Sequence, residues 1–516
     1  MKKFFVISLT GLLIILFSTV VFAQKLDFRA SGFLEAISVL SSNVAYGDSV
    51  YGTIFSRWAS PPLGSWRPDK PGVLASDSGQ YDRTDSFLMY RASLKFDAVM
   101  GKELSGTILF ELDSTRWGDT SSGANFAAGK MGFWTADRGA LEIKNVYMDF
   151  GVPVVPVPMT MRVGLQPLGV RPHMTMITDG MGITAGIKLD PVLIAPIYGK
   201  AWEGKDASAD DVDIYGLHVN AKVGPVTVGG YGVNFNMNTY PVSASSVLAY
   251  GVRPSFDADM WWLGLYTDGK IGPVLLNLDF VLDTGKVERR NSTALKDVDY
   301  TGWAFRAKAN VPMDKLNFGG TFMYATGADL KKTNTTGTPG SAAISPYVSK
   351  KVGSYVIPPG SEQWAANQES MIVYGSNITA SALPVGMFLH PGAGYATSMT
   401  RGGFGGTWFA KVFAGFKAAP WYKVNLEALY IGDTTKNGNT LGDAVKKGTS
   451  IPRDDSTIGW EINLINEINI YKNLKWDIGF GILFAGDALD QRVGSSFIND
   501  SPKNPWILAT KLKYTF

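Results

Sequence analysis

Residues 87–98 decide the fold, and they read Phe87-Leu88-Met89-Tyr90-Arg91-Ala92-Ser93-Leu94-Lys95-Phe96-Asp97-Ala98. The even positions from 88 onwards carry Leu, Tyr, Ala, Leu, Phe and Ala, whereas the odd positions from 91 to 97 carry Arg, Ser, Lys and Asp. A period of two is the period of a β-strand and does not fit an amphipathic helix. The segment is therefore predicted to be a strand with one apolar and one charged face.

The same alternation returns at 104–113, 303–310 and 474–484. Short joints that contain Gly, Pro, Asp or Asn lie at 101–102, 153–158, 190–191, 224–225, 272–273, 312–314, 420–421 and 472–473. Longer polar segments lie between them, at 41–84, 115–139, 166–180, 204–211, 238–256, 289–298, 330–402, 435–456 and 488–504. Tight turns and long loops thus alternate along the whole chain.

This alternation of turns and loops predicts an all-β fold: a transmembrane antiparallel up-and-down barrel of about 18 strands, with 16 as the alternative. Each predicted strand is close to the ~9–11 residues that cross a bilayer at a steep tilt. An even strand count places both chain ends on the side of the tight turns. A large soluble sandwich or propeller also alternates, but it would need a core to cover all of its apolar faces. Aromatic side chains near the predicted strand ends favour the membrane barrel, because such barrels carry interfacial aromatic girdles. These aromatics are Trp261, Trp262, Tyr266, Trp421, Tyr422, Tyr471 and Trp506.

The first residues have the pattern of a secretory leader. Met1-Lys2-Lys3 precede an apolar stretch from Phe4 to Phe22, and Val21-Phe22-Ala23 stand before Gln24. A charged start, an apolar middle and a small-residue cleavage site are typical of a signal peptide. We therefore expect a signal peptide at 1–23 and one transmembrane barrel domain at 24–516.

Composition excludes several function classes. The 516-residue chain has no cysteine, so it holds no disulfide, thiol nucleophile or cysteine-ligated metal. Its net charge of +3 is too small to indicate the strongly basic surface that nucleic-acid binding requires. It has three histidines and shows no nucleophile or phosphate-binding motif in a strand–turn–helix setting. We expect no enzymatic activity, no cofactor and no metal site.

The leader, the alternation of turns and loops, and a last strand that closes on Tyr514-Thr515-Phe516 resemble Gram-negative outer-membrane porins. The resemblance implies an outer-membrane location and a channel for passive diffusion of small hydrophilic solutes or ions. It also implies that the barrel assembly machinery reads the C-terminal Phe516. Eighteen strands would be similar to the substrate-specific porins, and a homotrimer is one assembly that the resemblance allows.

Inside a barrel of this size the polar phase of each strand lines a water path. By phase the lumen-facing charges are Arg91, Lys95, Asp97, Glu111, Asp113, Asp149, Arg162, Arg306, Lys308, Glu427, Glu461, Asp477, Lys511 and Lys513. The third long connection, 166–180, occupies the place of the constriction loop in the porins that the chain resembles. The expected constriction residues are Arg162, Gln166, Arg171, His173 and Asp179, although an ordinary outer loop fits this segment equally well.

Two other functions stay open at this point. An outer-membrane hydrolase would need a catalytic group built around a histidine such as His173 or His218. A scaffold barrel would sheathe a partner, for example a multihaem cytochrome, and its lumen would be plugged by that partner.

Overall fold

The computed structural model describes residues 26–43, 84–117, 141–153, 155–203, 210–240, 256–289, 297–329, 351–358, 361, 369–375, 378, 404–442, 444–492, 498–501 and 503–516. The expected signal peptide at 1–23 lies outside these residues. Within them, no helix is long and apolar enough to cross a bilayer.

The described residues form strands and one short 3-10 turn at Asp487–Leu489. In chain order the strands are β1 (Leu26–Ser42), β2 (Thr84–Met100), β3 (Leu104–Arg116), β4 (Glu142–Gly151), β5 (Met159–Val170), β6 (Met176–Leu189), β7 (Val192–Trp202), β8 (Val212–Val223), β9 (Val226–Tyr240), β10 (Phe256–Ile271), β11 (Val274–Arg289), β12 (Val298–Tyr300), β13 (Trp303–Met313), β14 (Leu316–Ala325), β15 (Lys351–Val352), β16 (Thr407–Ala419), β17 (Tyr422–Asp433), β18 (Thr457–Tyr471), β19 (Leu474–Ala485), β20 (Gln491–Arg492), β21 (Asn499–Asp500) and β22 (Trp506–Thr515).

All but the short strands β12, β15, β20 and β21 form one closed antiparallel barrel. Each of these 18 wall strands pairs with its neighbours in the chain, and β1 pairs with both β2 and β22. Closure removes the free edges that an open sheet would present. The predicted barrel of about 18 strands is therefore confirmed.

The eight predicted tight joints each connect two wall strands, and β1 begins and β22 ends on the same side as these joints. We call this side the turn end and the opposite side the loop end. Gly224 and Gly272 open two of the joints with φ of 59° and 58°. Only glycine adopts this left-handed conformation at little cost, so these residues suit a two-residue turn.

Side chains alternate between an outward apolar face and an inward face. In β19, for example, Trp476, Phe480 and Phe484 point outward and are about two-fifths exposed, whereas Asp477 on the inward phase is buried. Outward aromatic rings also contact one another from strand to strand. Trp408 and Tyr430 have ring centroids 5.3 Å apart, and Tyr430 and Trp460 have centroids 5.0 Å apart. An apolar outer band with aromatic rings is typical of a membrane barrel.

Two of the predicted girdle residues are not part of this band. Trp262 and Tyr266 lie on the inward phase of β10 and are 0% and 9% exposed, whereas the preceding residue, Trp261, faces outward and is 43% exposed. The prediction was wrong for this pair because proximity to a strand end does not tell which face a side chain takes. Only the phase of the strand does so.

The loop-end half of the lumen contains a hydrophobic core. Trp262 packs edge-on against Phe235 at 5.4 Å and donates a hydrogen bond of 2.8 Å to the carbonyl of Val356. Tyr374 packs against Phe409 at 4.8 Å. Val356 and Tyr374 belong to the connection between β14 and β16, which therefore enters the barrel. The prediction that the inward phase is polar agrees with the turn-end half of the wall, but it is wrong for the loop-end half, where inward residues are largely apolar.

Candidate functional site: the lumen of the barrel

Strand register places the predicted lumen charges on the inward phase. Glu35 of β1 stands opposite Arg91 of β2, and Glu461 of β18 stands opposite Leu429 of β17. The same phase holds Lys95, Asp97, Glu111, Asp149, Arg162, Arg306, Lys308, Glu427, Asp477, Lys511 and Lys513. Asp113 lies in β3, and its side chain is outside the described residues.

One group of these residues gathers around Glu111. Arg91 donates a hydrogen bond of 2.5 Å from Nε to this carboxylate, and Lys144 Nζ lies 2.6 Å from its Oε2. Lys144 also lies 3.6 Å from Asp179, which accepts a 2.7 Å hydrogen bond from Asn145. The chain thus brings together Arg91, Glu111 and Asp179, on β2, β3 and β6. Glu111 is only 1% exposed, and the two cations beside it, Arg91 and Lys144, balance its charge.

Arg162 and Lys95 make separate contacts on the wall. Arg162 donates hydrogen bonds of 2.7 and 3.0 Å to Asp149, and its guanidinium lies 4.1 Å from the ring centroid of Tyr147. Lys95 Nζ lies 3.0 Å from Asp97. Both cations remain about a third exposed, which leaves them in contact with solvent in the lumen.

The expected long loop at 166–180 is shorter than predicted. Residues up to Val170 continue β5 and residues from Met176 continue β6, so only 171–175 form the connection. Gln166 therefore lies in a strand, where its side chain donates 2.7 Å to the carbonyl of Gly182 and accepts from Thr184 at 3.0 Å. Beyond Leu165, β5 has no register with β4. The hairpin leaves the wall there, which its length alone could not reveal.

The tip of this hairpin docks onto β10 and β11, which lie beyond β7, β8 and β9 along the wall. Arg171 donates a 2.6 Å hydrogen bond to Asp268, and another of 2.6 Å to Asp279. Its guanidinium also lies 4.0 Å from the ring centroid of Tyr266. His173 Nε2 lies 2.9 Å from the second oxygen of Asp279. We call these five residues the tip latch, and they fix residues 171–175 inside the barrel.

A second segment lies in the lumen, and we call it the strap. It consists of the described residues 351–358, 361, 369–375 and 378 of the connection between β14 and β16. Glu461 of the wall accepts hydrogen bonds from the amides of Met371, Ile372 and Val373 at 2.7, 3.0 and 3.1 Å. Tyr355 donates 2.6 Å to the carbonyl of Met174, and this bond connects the strap to the hairpin tip.

Glu369 anchors the strap to three wall cations. Its carboxylate lies 2.7 Å from Arg306, 3.6 Å from Lys308 and 3.3 Å from Lys411. Burial alone would raise the pKa of Glu369, but Lys411, Lys308 and Arg306 outweigh it and lower the pKa to about 2. Two predicted lumen residues, Arg306 and Lys308, thus meet at an acid that the sequence reasoning missed.

Asp279 and Glu369 are the principal omissions from the predicted site. Asp279 had a usable signal, because Leu276, Leu278 and Phe280 alternate with polar residues in β11. Glu369 lies within a long connection with no periodic pattern, so no phase argument applies to it. The contacts of both acids depend on chain segments that meet only in the folded barrel.

In several ion pairs of the lumen the acid is buried and the cation protrudes into the open space. Side-chain exposure is 1% for Glu35 against 34% for Lys513, 3% for Asp477 against 34% for Lys475, and 2% for Glu369 against 37% for Lys308. Near the turn end, further inward-phase lysines are exposed, and no ion pair joins them to a described acid. They are Lys188, Lys222, Lys270 and Lys417. These lysines add exposed positive charge to the lumen, where Asp149 and Asp268 are the more exposed acids, at 36% and 39%.

No protein-family model matches the chain, and no curated protein matches it. Several solved structures are similar in fold. OccK8 (OprE) of Pseudomonas aeruginosa has 11% identity and a TM-score of 0.47, and the alignment covers 95% of this chain and 98% of that one. OccAB4 of Acinetobacter baumannii has 9% identity, a TM-score of 0.46 and coverage of 96% and 99%. The outer membrane protein OpdK from Pseudomonas aeruginosa has 8% identity, a TM-score of 0.44 and coverage of 95% and 99%.

Proposed function

We propose that the chain forms a channel in the outer membrane of a Gram-negative bacterium, through which small hydrophilic solutes and ions diffuse passively. The observation that carries this proposal is the closed 18-stranded wall with an apolar outward face and a charged inward face. With strands about 4.8 Å apart and tilted by about 40°, 18 strands give a diameter of about 36 Å. Wall side chains alone do not fill such a lumen.

We propose further that the hairpin tip and the strap restrict the passage. The tip latch holds Arg171 and His173 in the lumen, and Glu369 holds the strap beside Lys308. Solutes would pass the remaining space, past Arg91 and Lys95 of β2 and Arg162 of β5. Arg91, Lys95, Glu111, Asp113, Arg162, Gln166, Arg171, His173, Asp179, Arg306 and Lys308 remain the candidate pore residues.

We also infer a preference for anions. The exposed inward lysines face the water, whereas most of their acidic partners are buried beneath them. Charges that line a low-dielectric cleft raise the local concentration of counter-ions. Small anionic solutes should therefore enter the turn-end half of the lumen more readily than cations of the same size.

Reconstitution in a planar bilayer under a potassium chloride gradient tests the function. We expect steady conductance and a reversal potential displaced toward the chloride equilibrium potential. Arg162→Ala and Lys308→Ala each remove an exposed cation and should displace it toward the potassium value. A membrane that stays closed would refute the channel, whereas conductance with a cation preference would refute only the anion preference.

The contacts of the lumen favour the channel over the two alternatives. His173 faces the carboxylate of Asp279, and His218 Nε2 lies 2.7 Å from the hydroxyl of Tyr266. Neither contact is the histidine–serine pair of a hydrolase. A sheath for a partner protein would need its lumen free, but the strap and hairpin tip occupy part of it. We therefore propose neither an enzymatic activity nor a cofactor.

Export and assembly form part of the same proposal. Residues 1–23 would direct export, and Phe516 would be read by the barrel assembly machinery. Phe516 exchanges backbone hydrogen bonds of 2.9 and 3.0 Å with Gly32, so the last residue lies at the seam where β22 meets β1. A homotrimer is the assembly that we would test first by mass measurement in detergent.

A further inference from the structure

The outward face of β8, β9 and β10 contains a groove of about 600 Å³. Two glycines, Gly230 and Gly232, form its floor, and they stand opposite Val219 and Leu217 of β8 in the register. Trp261 of β10 borders the other side. The glycines leave a depression because they are flanked on both sides by strands that carry large outward side chains.

The groove ends at a polar edge on its loop-end side. Asp213 is the next outward residue of β8 on the loop-end side of Tyr215. Its carboxylate accepts a 3.0 Å hydrogen bond from the hydroxyl of Tyr198 and lies 3.1 Å from Lys200 Nζ. One outward position above Gly232 lies Asn234. Tyrosine and tryptophan rings prefer the level where headgroups meet hydrocarbon. The groove thus begins at that level and descends into the apolar band.

We propose that the groove binds one acyl chain of a membrane lipid in the leaflet nearest the loop end. From Tyr215 to Val219 it extends over four residue steps, about 13 Å along the strand, which fits within one leaflet of a ~30 Å hydrocarbon core. Its volume lies in the range of small-molecule sites, about 300–1,000 Å³. This inference rests on the proposed function in one respect, since it requires that the barrel lies in a membrane.

The chemistry of the lining favours an alkyl chain. The lining consists of aliphatic residues, three glycines and the aromatic residues Tyr215, Tyr231 and Trp261. A chain seated there contacts the protein on its floor and on both sides, whereas lipid on the convex wall contacts it on one side only. Because apolar contact area sets the strength of binding, the seated lipid should outlast the surrounding lipid during detergent washing.

The test compares three forms of the full chain reconstituted in dipalmitoyl phosphatidylcholine and then washed in detergent. They are the wild type, Gly230→Leu/Gly232→Leu and the control Gly106→Leu. Leucine at 230 and 232 would fill the floor. The only side-chain atoms within 3.5 Å of a Cβ built at these positions are the end of Leu265, at 3.0 Å from position 230, and the end of Leu263, at 3.2 Å from position 232. Gly106 also faces outward, on β3, and a Cβ there meets no atom within 4 Å.

Native mass spectrometry then counts the phosphatidylcholine retained by each barrel. We expect one retained lipid in the wild type and in Gly106→Leu, and about ten-fold less in the double variant. Equal retention in all three forms, or none in the wild type, would overturn the proposal. A change of oligomer mass in the double variant without a change in lipid would also overturn it, and would assign the groove to a second copy of the chain.

Two further measurements on the same samples separate this proposal from the channel. Electrophoretic mobility before and after heating shows whether each variant is a folded barrel. Conductance should be equal in the three forms, because the substitutions face away from the lumen. Folded barrels that retain lipid as expected but never conduct would contradict the channel and leave the lipid site in place.

Discussion

Replacing Arg171 by alanine should release the hairpin tip from β10 and β11. Arg171 bonds Asp279, which is 3% exposed, and Asp268, which is 39% exposed. A charge-assisted hydrogen bond to a buried acid stabilises by about 2 kcal/mol, and one to a half-exposed acid by about 1 kcal/mol. The loss of about 3 kcal/mol corresponds to an about 150-fold larger population of undocked tips.

Thiol labelling measures this population directly, because the chain has no cysteine of its own. Met174 is next to the latch and is fully buried, so Met174→Cys should react slowly while the tip is docked. With Arg171→Ala in the same background, the labelling rate should rise by about 150-fold if docking is fast relative to the reaction. Bilayer recordings should show more frequent current fluctuations.

Two comparison variants separate the latch from a mere loss of charge. Lys95→Ala removes an exposed lumen cation that pairs with Asp97 of the wall, away from the tip and the strap, so it should leave the labelling rate unchanged. Arg171→Lys keeps the charge but loses the forked contact with Asp268 and the stacking on Tyr266. Because a lysine can still pair with Asp279, it should label at a rate between those of the wild type and Arg171→Ala and keep the reversal potential of the wild type. Equal labelling rates for Arg171→Ala and Lys95→Ala would refute this reasoning.

Three further predictions concern the strap and the seam. Glu461→Ala leaves three strap amides without an acceptor, which costs about 1–3 kcal/mol for each amide. The strap should then leave its place in the lumen more often, so single-channel conductance should increase. Unchanged conductance would contradict the anchoring role. The pKa of Glu369, lowered from 4.5 to about 2, makes its anchoring complete above pH 4.5 and lost only as the pH falls through about 2. Conductance of the wild type should thus show no strap release between pH 7 and 4.5, whereas Glu369→Gln should show it throughout. Deleting Phe516 removes both backbone bonds to Gly32, and the yield of heat-modifiable barrel should fall severalfold relative to Phe516→Tyr.

The wall could be predicted from the sequence because the alternation of apolar and polar residues within each strand shows which side chains face the same way. Leu94 and Phe96 must face the same way as each other and away from Lys95, whatever the remaining chain does. Closure then follows from the length and number of such strands. The same local rule failed for Trp262, where two adjacent tryptophans must face opposite sides and the sequence does not say which one faces lipid.

The segments inside the lumen depend on contacts between distant parts of the chain. A wall of 18 strands encloses more space than its side chains fill, so the chain must leave water there or supply further segments. The apolar inward residues at the loop end, such as Phe235, would be costly in contact with water, and the strap covers them. Arg306 lies 2.7 Å from Glu369 of the strap and 3.8 Å from Asp279 of the tip latch, so one buried cation serves both lumen segments. Because removing one partner of a buried ion pair leaves the other charge uncompensated, the hairpin tip and the strap depend on each other, and this dependence is not predictable from either segment's own sequence.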